Sequence, residues 1–184
     1  MAPPETIITE YDDPVSETFL WECLLEESGG DEMLSAAVLG YFYRESRYRS
    51  DAVTSWSREL SVTGEDPCEA FTKKLDRMSR SEFVESVRKR GGYGLGQWYA
   101  EEYLEQLYDF CKGRRASFAD AKMQCAFTVH SIINDDELME RLESMSTPSE
   151  YGKIIGKYYD GSATAGDTIA FYAHKIYTER TGDT

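Results

Sequence analysis

Apolar residues recur every three or four positions along most of the chain, the pattern of amphipathic helices. In one such segment Leu34, Val38 and Tyr41 share a face. The pattern predicts helices at about 14–28, 31–46, 67–78, 81–90, 99–112, 117–134, 136–145, 148–159 and 166–179. No convincing run of alternating apolar and polar residues occurs, so we expect an all-α fold with at most a short β-hairpin.

The helical pattern breaks twice in the middle of the chain. Residues 47–66 form a polar loop in which Trp56 and Leu60 could anchor a short helix, and a glycine-rich segment follows Gly91. Local signals support the flanking helices, because Asp31 can cap a helix start and Pro67 suits a first turn. There is no internal repeat, so we expect a single domain at 14–180 after an N-terminal extension at 1–13.

The charge balance narrows the classes of partner. The chain carries 34 acidic and 20 basic residues, a net charge of −14, whereas nucleic acids and anionic membrane surfaces attract basic patches. We therefore expect no nucleic-acid partner. No run of about 18 apolar residues exists, so we expect no membrane insertion. The first residues lack the basic and apolar regions of a secretory signal.

The four cysteines are widely spaced and form no C-x-x-C pair, so the sequence predicts neither a structural zinc site nor any other metal or cofactor. Cys23, Cys111 and Cys125 fall on apolar helical stripes, which favours buried thiols that pack as small hydrophobic groups. A Cys111–Cys125 disulfide is the alternative.

Glu45 continues the apolar stripe of the second helix, four positions after Tyr41. A carboxylate there is disfavoured by burial and by its place at a helix C-terminus. Both effects favour the protonated form, which is the form a general acid needs. The alternative is a glutamate at a frayed helix end that pairs with Arg47 or Arg49.

The glycine-rich segment reads Gly92-Tyr93-Gly94-Leu95-Gly96-Gln97-Trp98. Its glycines permit a tight backbone path that a ligand can approach closely. Gln97 offers hydrogen-bonding groups, and Tyr93 and Trp98 offer flat rings that could stack on sugars. The alternative is a turn whose tryptophan packs in the core. A phosphate-binding loop is excluded because no strand precedes the segment and no Lys-Ser/Thr follows it.

Together, Ala36–Ser46, which ends in Glu45-Ser46, and the segment 92–98 resemble the phage tail lysozyme family. This family belongs to the lysozyme-like group, with goose-type lysozymes and soluble lytic transglycosylases. The resemblance covers about residues 18–178 and also includes Leu107-Tyr108, Ser117–Asp120 and Gln124. The chain departs from the family pattern at Tyr99, where threonine is common, and an arginine often found shortly afterwards has no clear match.

The resemblance implies cleavage of the β-1,4 bond between N-acetylmuramic acid and N-acetylglucosamine in bacterial peptidoglycan. Glu45 would be the general acid. Gln97 and the Gly94–Gly96 backbone would line the cleft, with Tyr93 and Trp98 as its walls. The site of action would be the cell wall outside the membrane, for a virion tail protein or a secreted or wall-associated one. We also expect the domain to be part of a longer multidomain protein. The alternative function is an inactive helical module that binds wall glycan or a partner protein.

A glycosidase normally needs a second carboxylate. Asp51 and Glu59 are the first candidates, because they lie in the loop expected at the rim of the cleft. Without such a partner, the mechanism would resemble that of a lytic transglycosylase, in which the C6 hydroxyl of muramic acid attacks. The length of the loop favours hydrolysis.

A basic cluster, Arg88-Lys89-Arg90 with Arg77 and Arg80 nearby, stands out on this acidic chain. The structural interpretation is favourable charge at a helix C-terminus before Gly91. The functional alternative is contact with carboxylates of the glycan substrate.

Overall fold

The computed structural model describes residues 14–53 and 67–182, and the regular structure in these ranges is helical. In chain order the helices are α1 Glu17–Glu27, α2 Glu32–Ser46, α3 Pro67–Leu75, α4 Arg80–Arg88, α5 Glu101–Gly113, α6 Ala121–Ile133, α7 Asp136–Glu143, α8 Pro148–Asp160 and α9 Ala163–Thr181. Two isolated antiparallel bridges, Val53–Tyr93 and Tyr93–Trp98, accompany them. The predicted all-α class with at most a short hairpin is confirmed.

Some expectations concern residues outside the described ranges. The predicted short helix around Trp56 and Leu60 lies there, and so does the N-terminal extension at 1–13. Within the described ranges, no helix combines the length and the apolar character that a membrane crossing requires.

Local signals set several helix starts as predicted. Asp31 caps α2, because its Oδ1 accepts a hydrogen bond from the backbone N–H of Leu34 at 2.9 Å. Helix α3 begins at Pro67, as predicted.

Helix α9 begins at Ala163 rather than at the predicted 166. The Ser162 hydroxyl caps the helix there by accepting a hydrogen bond from the backbone N–H of Ala165 at 3.2 Å.

Helix α6 begins at Ala121 rather than at the predicted 117. The reason is Asp76, whose carboxylate accepts hydrogen bonds from the Ser117 hydroxyl at 2.7 Å and from the Phe118 backbone N–H at 2.9 Å. These bonds hold the residues before α6 in a turn. A contact this distant in sequence gives no periodic signal, which explains the wrong prediction.

The chain divides into two units. One contains Ser16–Tyr48 and Cys125–Thr184, which include α1, α2 and α7 to α9. The other contains Met1–Val15 and Arg49–Gln124, which include α3 to α5. The unit boundary falls within α6.

In the unit that contains α2, helix α9 packs against both α2 and α8. Glycines allow the backbones to come close. A Cβ atom on Gly40 of α2 would lie 3.0 Å from the carbonyl oxygen of Ile169. A Cβ atom on Gly152 of α8 would lie 2.7 Å from the Cα atom of Ala170. Larger residues at these positions would force the helices apart.

In the unit that contains α4 and α5, these two helices pack on each other. The ring of Phe83 from α4 stacks on that of Phe118, with the centroids 4.2 Å apart. The Tyr108 ring of α5 stacks on Phe118 as well, at 5.6 Å. Offset stacking of this kind adds stability beyond the area that the rings bury.

All four cysteines are buried thiols, and none forms a disulfide. The structure therefore follows the prediction of buried thiols rather than the alternative Cys111–Cys125 bridge. Burial raises the pKa of Cys111 to about 12. Since the thiolate is the reactive form, this cysteine is chemically inert at neutral pH.

We expect Gly152→Ala to lower the melting temperature, although alanine favours helices. The new Cβ atom would meet backbone atoms of α9, which cannot rotate away. Overpacking of this kind costs roughly 1–3 kcal/mol, and each kcal/mol corresponds to about 2–4 °C in a chain of this size. Thermal unfolding followed by circular dichroism measures the effect.

Gly113→Ala in α5 is the matched control, because a Cβ atom there meets nothing within 4 Å. We expect this variant to melt at or above the wild-type temperature. Equal melting of the two variants would contradict the close packing at Gly152.

Candidate functional site

The glycine-rich segment forms a tight hairpin turn. The backbone N–H of Tyr93 donates to the Trp98 carbonyl at 3.2 Å, and the N–H of Trp98 donates to the Tyr93 carbonyl at 3.1 Å. Inside the turn, Gly94 has a φ angle of 79° and Gln97 has one of 47°. Glycine adopts this left-handed conformation without strain, whereas Gln97 needs compensating contacts.

The Gln97 side chain supplies such contacts. Its Nε2 group donates to the carbonyl oxygens of Gly94 at 2.8 Å and Ala52 at 3.0 Å. The Ala52 carbonyl also accepts from the backbone N–H of Gly94 at 2.9 Å. Gln97 therefore joins the turn to the backbone at Ala52. The position of Gln97 in the sequence did not indicate this structural role.

Gln124 is the second amide that holds the turn. It is fully buried, and its Oε1 accepts from the Leu95 backbone N–H at 2.7 Å. Its Nε2 donates to the carbonyl oxygens of Ser50 and Phe118. One side chain thus joins three loops. The sequence indicated Gln124 only through the family resemblance. The feature that could have identified it is a polar amide among apolar neighbours on a helix.

Tyr93 and Trp98 close the turn from within the protein. Tyr93 is 0% exposed and Trp98 is 2% exposed. The hydroxyl groups of Tyr93 and Thr72 lie 2.6 Å apart and share a hydrogen bond, and burial raises the pKa of Tyr93. This burial favours the alternative in which the rings belong to the core, because a stacking platform must present an open face to a sugar.

The basic cluster at the end of α4 is matched by local carboxylates. Arg88 pairs with Glu101, and Lys89 pairs with Glu85 at 2.7 Å. Tyr99, the residue that departs from the family pattern, is 57% exposed and lines a surface groove with these side chains. The pairing favours the structural interpretation of the cluster over binding of glycan carboxylates.

Of the two preferred candidates for a second carboxylate, Asp51 is within the described residues. It precedes Ala52, whose carbonyl binds the turn, and its Oδ1 lies 3.1 Å from Nη2 of Arg49. The structure therefore brings Asp51 into the same loop assembly as Gly94 and Gln97. Glu59 lies outside the described residues.

Glu45 belongs to the other unit, in the last turn of α2. Leu34, Val38 and Tyr41, which precede it on the predicted stripe, are buried. The Glu45 side chain is 20% exposed, so its carboxyl group is mostly withdrawn from water. The next residue, Ser46, donates its hydroxyl to the Phe42 carbonyl at 3.1 Å, a local bond within α2.

The guanidinium of Arg44 contacts the Glu45 carboxyl group. Nη1 of Arg44 binds Oε1 of Glu45, and Nη2 of the same arginine lies 2.7 Å from Oδ2 of Asp160. Arg44 is thus the partner, rather than the Arg47 or Arg49 considered in the sequence. The Arg47 guanidinium instead lies over the ring of Tyr43 at 4.3 Å.

The pKa of Glu45 is raised above the usual range of a glutamate, and burial is the main cause. The charge and hydrogen bond of Arg44 lower this pKa, while the charge of Asp160 raises it. Burial outweighs the arginine, so the carboxyl group keeps its proton to a higher pH than an exposed glutamate. A carboxylic acid that keeps its proton to higher pH is better suited to donate that proton in a reaction.

A family model described as phage tail lysozyme matches residues 17–179. This range contains both Glu45 and the turn, and the chain belongs to the phage tail lysozyme family. Membership suggests a lysozyme-like glycosidase whose substrate is the peptidoglycan of the bacterial cell wall. No curated protein and no solved structure matches the chain.

We expect Gly94→Ala to destabilise the protein more than the same change at Gly29. Both glycines have positive φ, which costs an alanine roughly 1–2 kcal/mol. Only at Gly94 would the new Cβ also lie 2.7 Å from Oε1 of Gln124, whereas at Gly29 it meets nothing within 4 Å. Thermal unfolding of the two variants compares these costs.

The excess effect at Gly94 isolates the contact with Gln124 from the backbone strain that both variants share. Equal melting temperatures for the two variants would contradict the role assigned to Gln124.

Proposed function

We propose that this protein cleaves the β-1,4 bond between N-acetylmuramic acid and N-acetylglucosamine, with Glu45 as the general acid. The observation that carries the proposal is the mostly buried Glu45 carboxyl group with its raised pKa, in a chain of the phage tail lysozyme family. The substrate is the glycan strand of bacterial peptidoglycan, outside the cell membrane.

In this mechanism, the carboxyl group of Glu45 protonates the glycosidic oxygen as the bond to the sugar breaks. Arg44 holds Oε1, so we assign the transferable proton to Oε2. Protonation of the leaving oxygen is the step that a general acid accelerates, by roughly 10²–10⁴-fold. After the leaving group departs, the ionised Glu45 is stabilised by the same guanidinium.

We propose that the turn at 94–97 binds the sugar through its backbone and through Gln97. The glycines leave this backbone without side chains, which permits a close approach. Tyr93 and Trp98 serve binding by fixing the ends of the turn from within, as their burial indicates. The amides of Gln97 and Gln124 hold the turn in the shape that the sugar meets.

We further propose hydrolysis rather than transglycosylation, with Asp51 or Glu59 as the second carboxylate. The support comes from Asp51, which lies beside the residues that hold the turn and is paired with Arg49. An ionised carboxylate is the form that either activates water or attacks the sugar.

Glu45→Gln keeps the size and hydrogen-bonding capacity of the side chain but removes its transferable proton. We expect cleavage to fall by at least ~10²-fold. Clearing of a purified peptidoglycan suspension and the appearance of new sugar ends measure the activity. Wild-type activity in this variant would contradict the assignment of Glu45, and no cleavage by the wild-type protein would favour an inactive binding module.

Thermal unfolding provides the folding control for Glu45→Gln. Because the pKa of Glu45 is raised in the folded state, the stability linked to its proton is present at low pH and is lost as the pH rises through that pKa. Glutamine never ionises. The variant should therefore melt above the wild type at neutral pH, and the difference should shrink in acid.

The products of wall digestion distinguish the two mechanisms. Hydrolysis leaves a reducing muramic acid end, whereas attack by the C6 hydroxyl leaves a 1,6-anhydro end that is lighter by one water. We expect reducing ends in mass spectra of digested wall, and reduced activity in Asp51→Asn or Glu59→Gln. Exclusively anhydro products, with normal cleavage by both variants, would overturn the proposal of hydrolysis.

A further inference from the structure

Two carboxylates from different helices share the guanidinium of Arg44. Glu45 stands at the end of α2, and Asp160 is the last residue of α8, in a helix that packs against α2. The side chains of Arg44, Glu45 and Asp160 are 22%, 20% and 32% exposed, so the cluster is partly shielded from solvent. A planar guanidinium can bind one carboxylate on each terminal nitrogen, and this arrangement uses both.

The position of Asp160 is not explained by the stability of its own helix. A negative charge at a helix C-terminus is unfavourable because it faces the negative end of the helix dipole. Glu45 stands at the same unfavourable end of α2. The shared feature that compensates both carboxyl groups is Arg44, which lies in the last turn of α2 and reaches each of them.

We propose that Asp160 is a positioning residue that acts on Glu45 through Arg44. This inference rests on the proposed role of Glu45 as general acid. Asp160 draws one arm of the guanidinium to itself, which fixes the arginine in place. Its negative charge also offsets the positive charge that Glu45 experiences. Without Asp160, the full charge of Arg44 would favour the ionised carboxylate and remove the proton that the reaction needs.

The electrostatics around Glu45 agree with this assignment. Arg44 lowers its pKa and Asp160 raises it, in addition to the effect of burial. On α1 and α9, which also pack against α2, Glu17 and Arg180 pair with each other at 2.8 Å. The Glu17 carboxylate also accepts a hydrogen bond from the Tyr48 hydroxyl.

The test is a direct titration of Glu45 by NMR in protein labelled with ¹³C at the glutamate carboxyl groups. The Glu45→Gln spectrum identifies the signal. In Asp160→Asn, which preserves shape but removes the charge, we expect the pKa of Glu45 to fall. The alkaline limb of the pH profile for peptidoglycan cleavage should move to lower pH by the same amount. Asp160→Glu, which restores the charge, should recover part of the shift.

Asp167→Asn is the matched control, because Asp167 is an exposed carboxylate of the same unit that faces Lys153 at 3.8 Å. This variant should leave the titration of Glu45 unchanged. An unchanged Glu45 titration in Asp160→Asn, or an equal shift in Asp167→Asn, would overturn the inference.

A double-mutant cycle separates action through Arg44 from direct repulsion between the two carboxylates. In an Arg44→Gln background, Asp160→Asn should shift the pKa of Glu45 less than it does in the wild type. Equal shifts in both backgrounds would overturn the role of Arg44 as the intermediary.

The NMR titration does not require activity. If the wild-type protein failed to cleave peptidoglycan, the proposed function would fall, while the titration would still decide whether Asp160 controls Glu45. Circular dichroism confirms that each variant is folded before it is titrated.

Discussion

The unit that contains Glu45 depends on one constraint, the close approach of α9 to α2 and α8. Glycines lie at the contacts of α9 with both helices. Gly40 on α2 faces the backbone of α9. Gly156 on α8 faces Gly166 on α9, and a Cβ atom added to Gly156 would lie 2.7 Å from the Cα atom of Gly166. Because no side chain separates these backbones, the C-terminal ends of α2 and α8 come near enough for Arg44 to reach Asp160. The electrostatic environment of Glu45 is therefore a consequence of helix packing.

In the other unit, the side-chain amides of two glutamines hold the glycine-rich turn. Gln124 is fully buried, yet its amide satisfies one donor and two acceptors on three separate loops. A carboxylate at this position could accept from Leu95 but could not donate to the two carbonyl oxygens that Gln124 binds. Gln97 uses the same property, since its Nε2 binds two carbonyl oxygens. A buried amide is costly unless its polar atoms are paired, so each of these bonds fixes the loop path.

The sequence predicted what depends on local pattern. The helix periodicity, the cap at Asp31, the start at Pro67 and the buried stripe that leads to Glu45 are all determined by residues within a few positions of one another. It did not predict what depends on distant contacts. Asp160 and Arg44 are far apart in the chain, and the delayed start of α6 depends on Asp76, which lies in the turn after α3. The burial of Tyr93 and Trp98 could not be predicted either, because the sequence does not distinguish a buried aromatic ring from an exposed one.

The two units use different chemistry for a physical reason. In the proposed mechanism Glu45 changes its charge during the reaction, so the groups around it have to tolerate its protonated and its ionised state. Arg44 meets this requirement because it keeps Asp160 as a partner in both states. The turn, as the proposed sugar-binding element, must instead keep one shape whatever the pH. Glutamine amides do not titrate, so the bonds that Gln97 and Gln124 make are the same in acid and at neutral pH. A change in pH therefore acts on the proposed proton donation by Glu45, whereas the amides of Gln97 and Gln124 do not titrate.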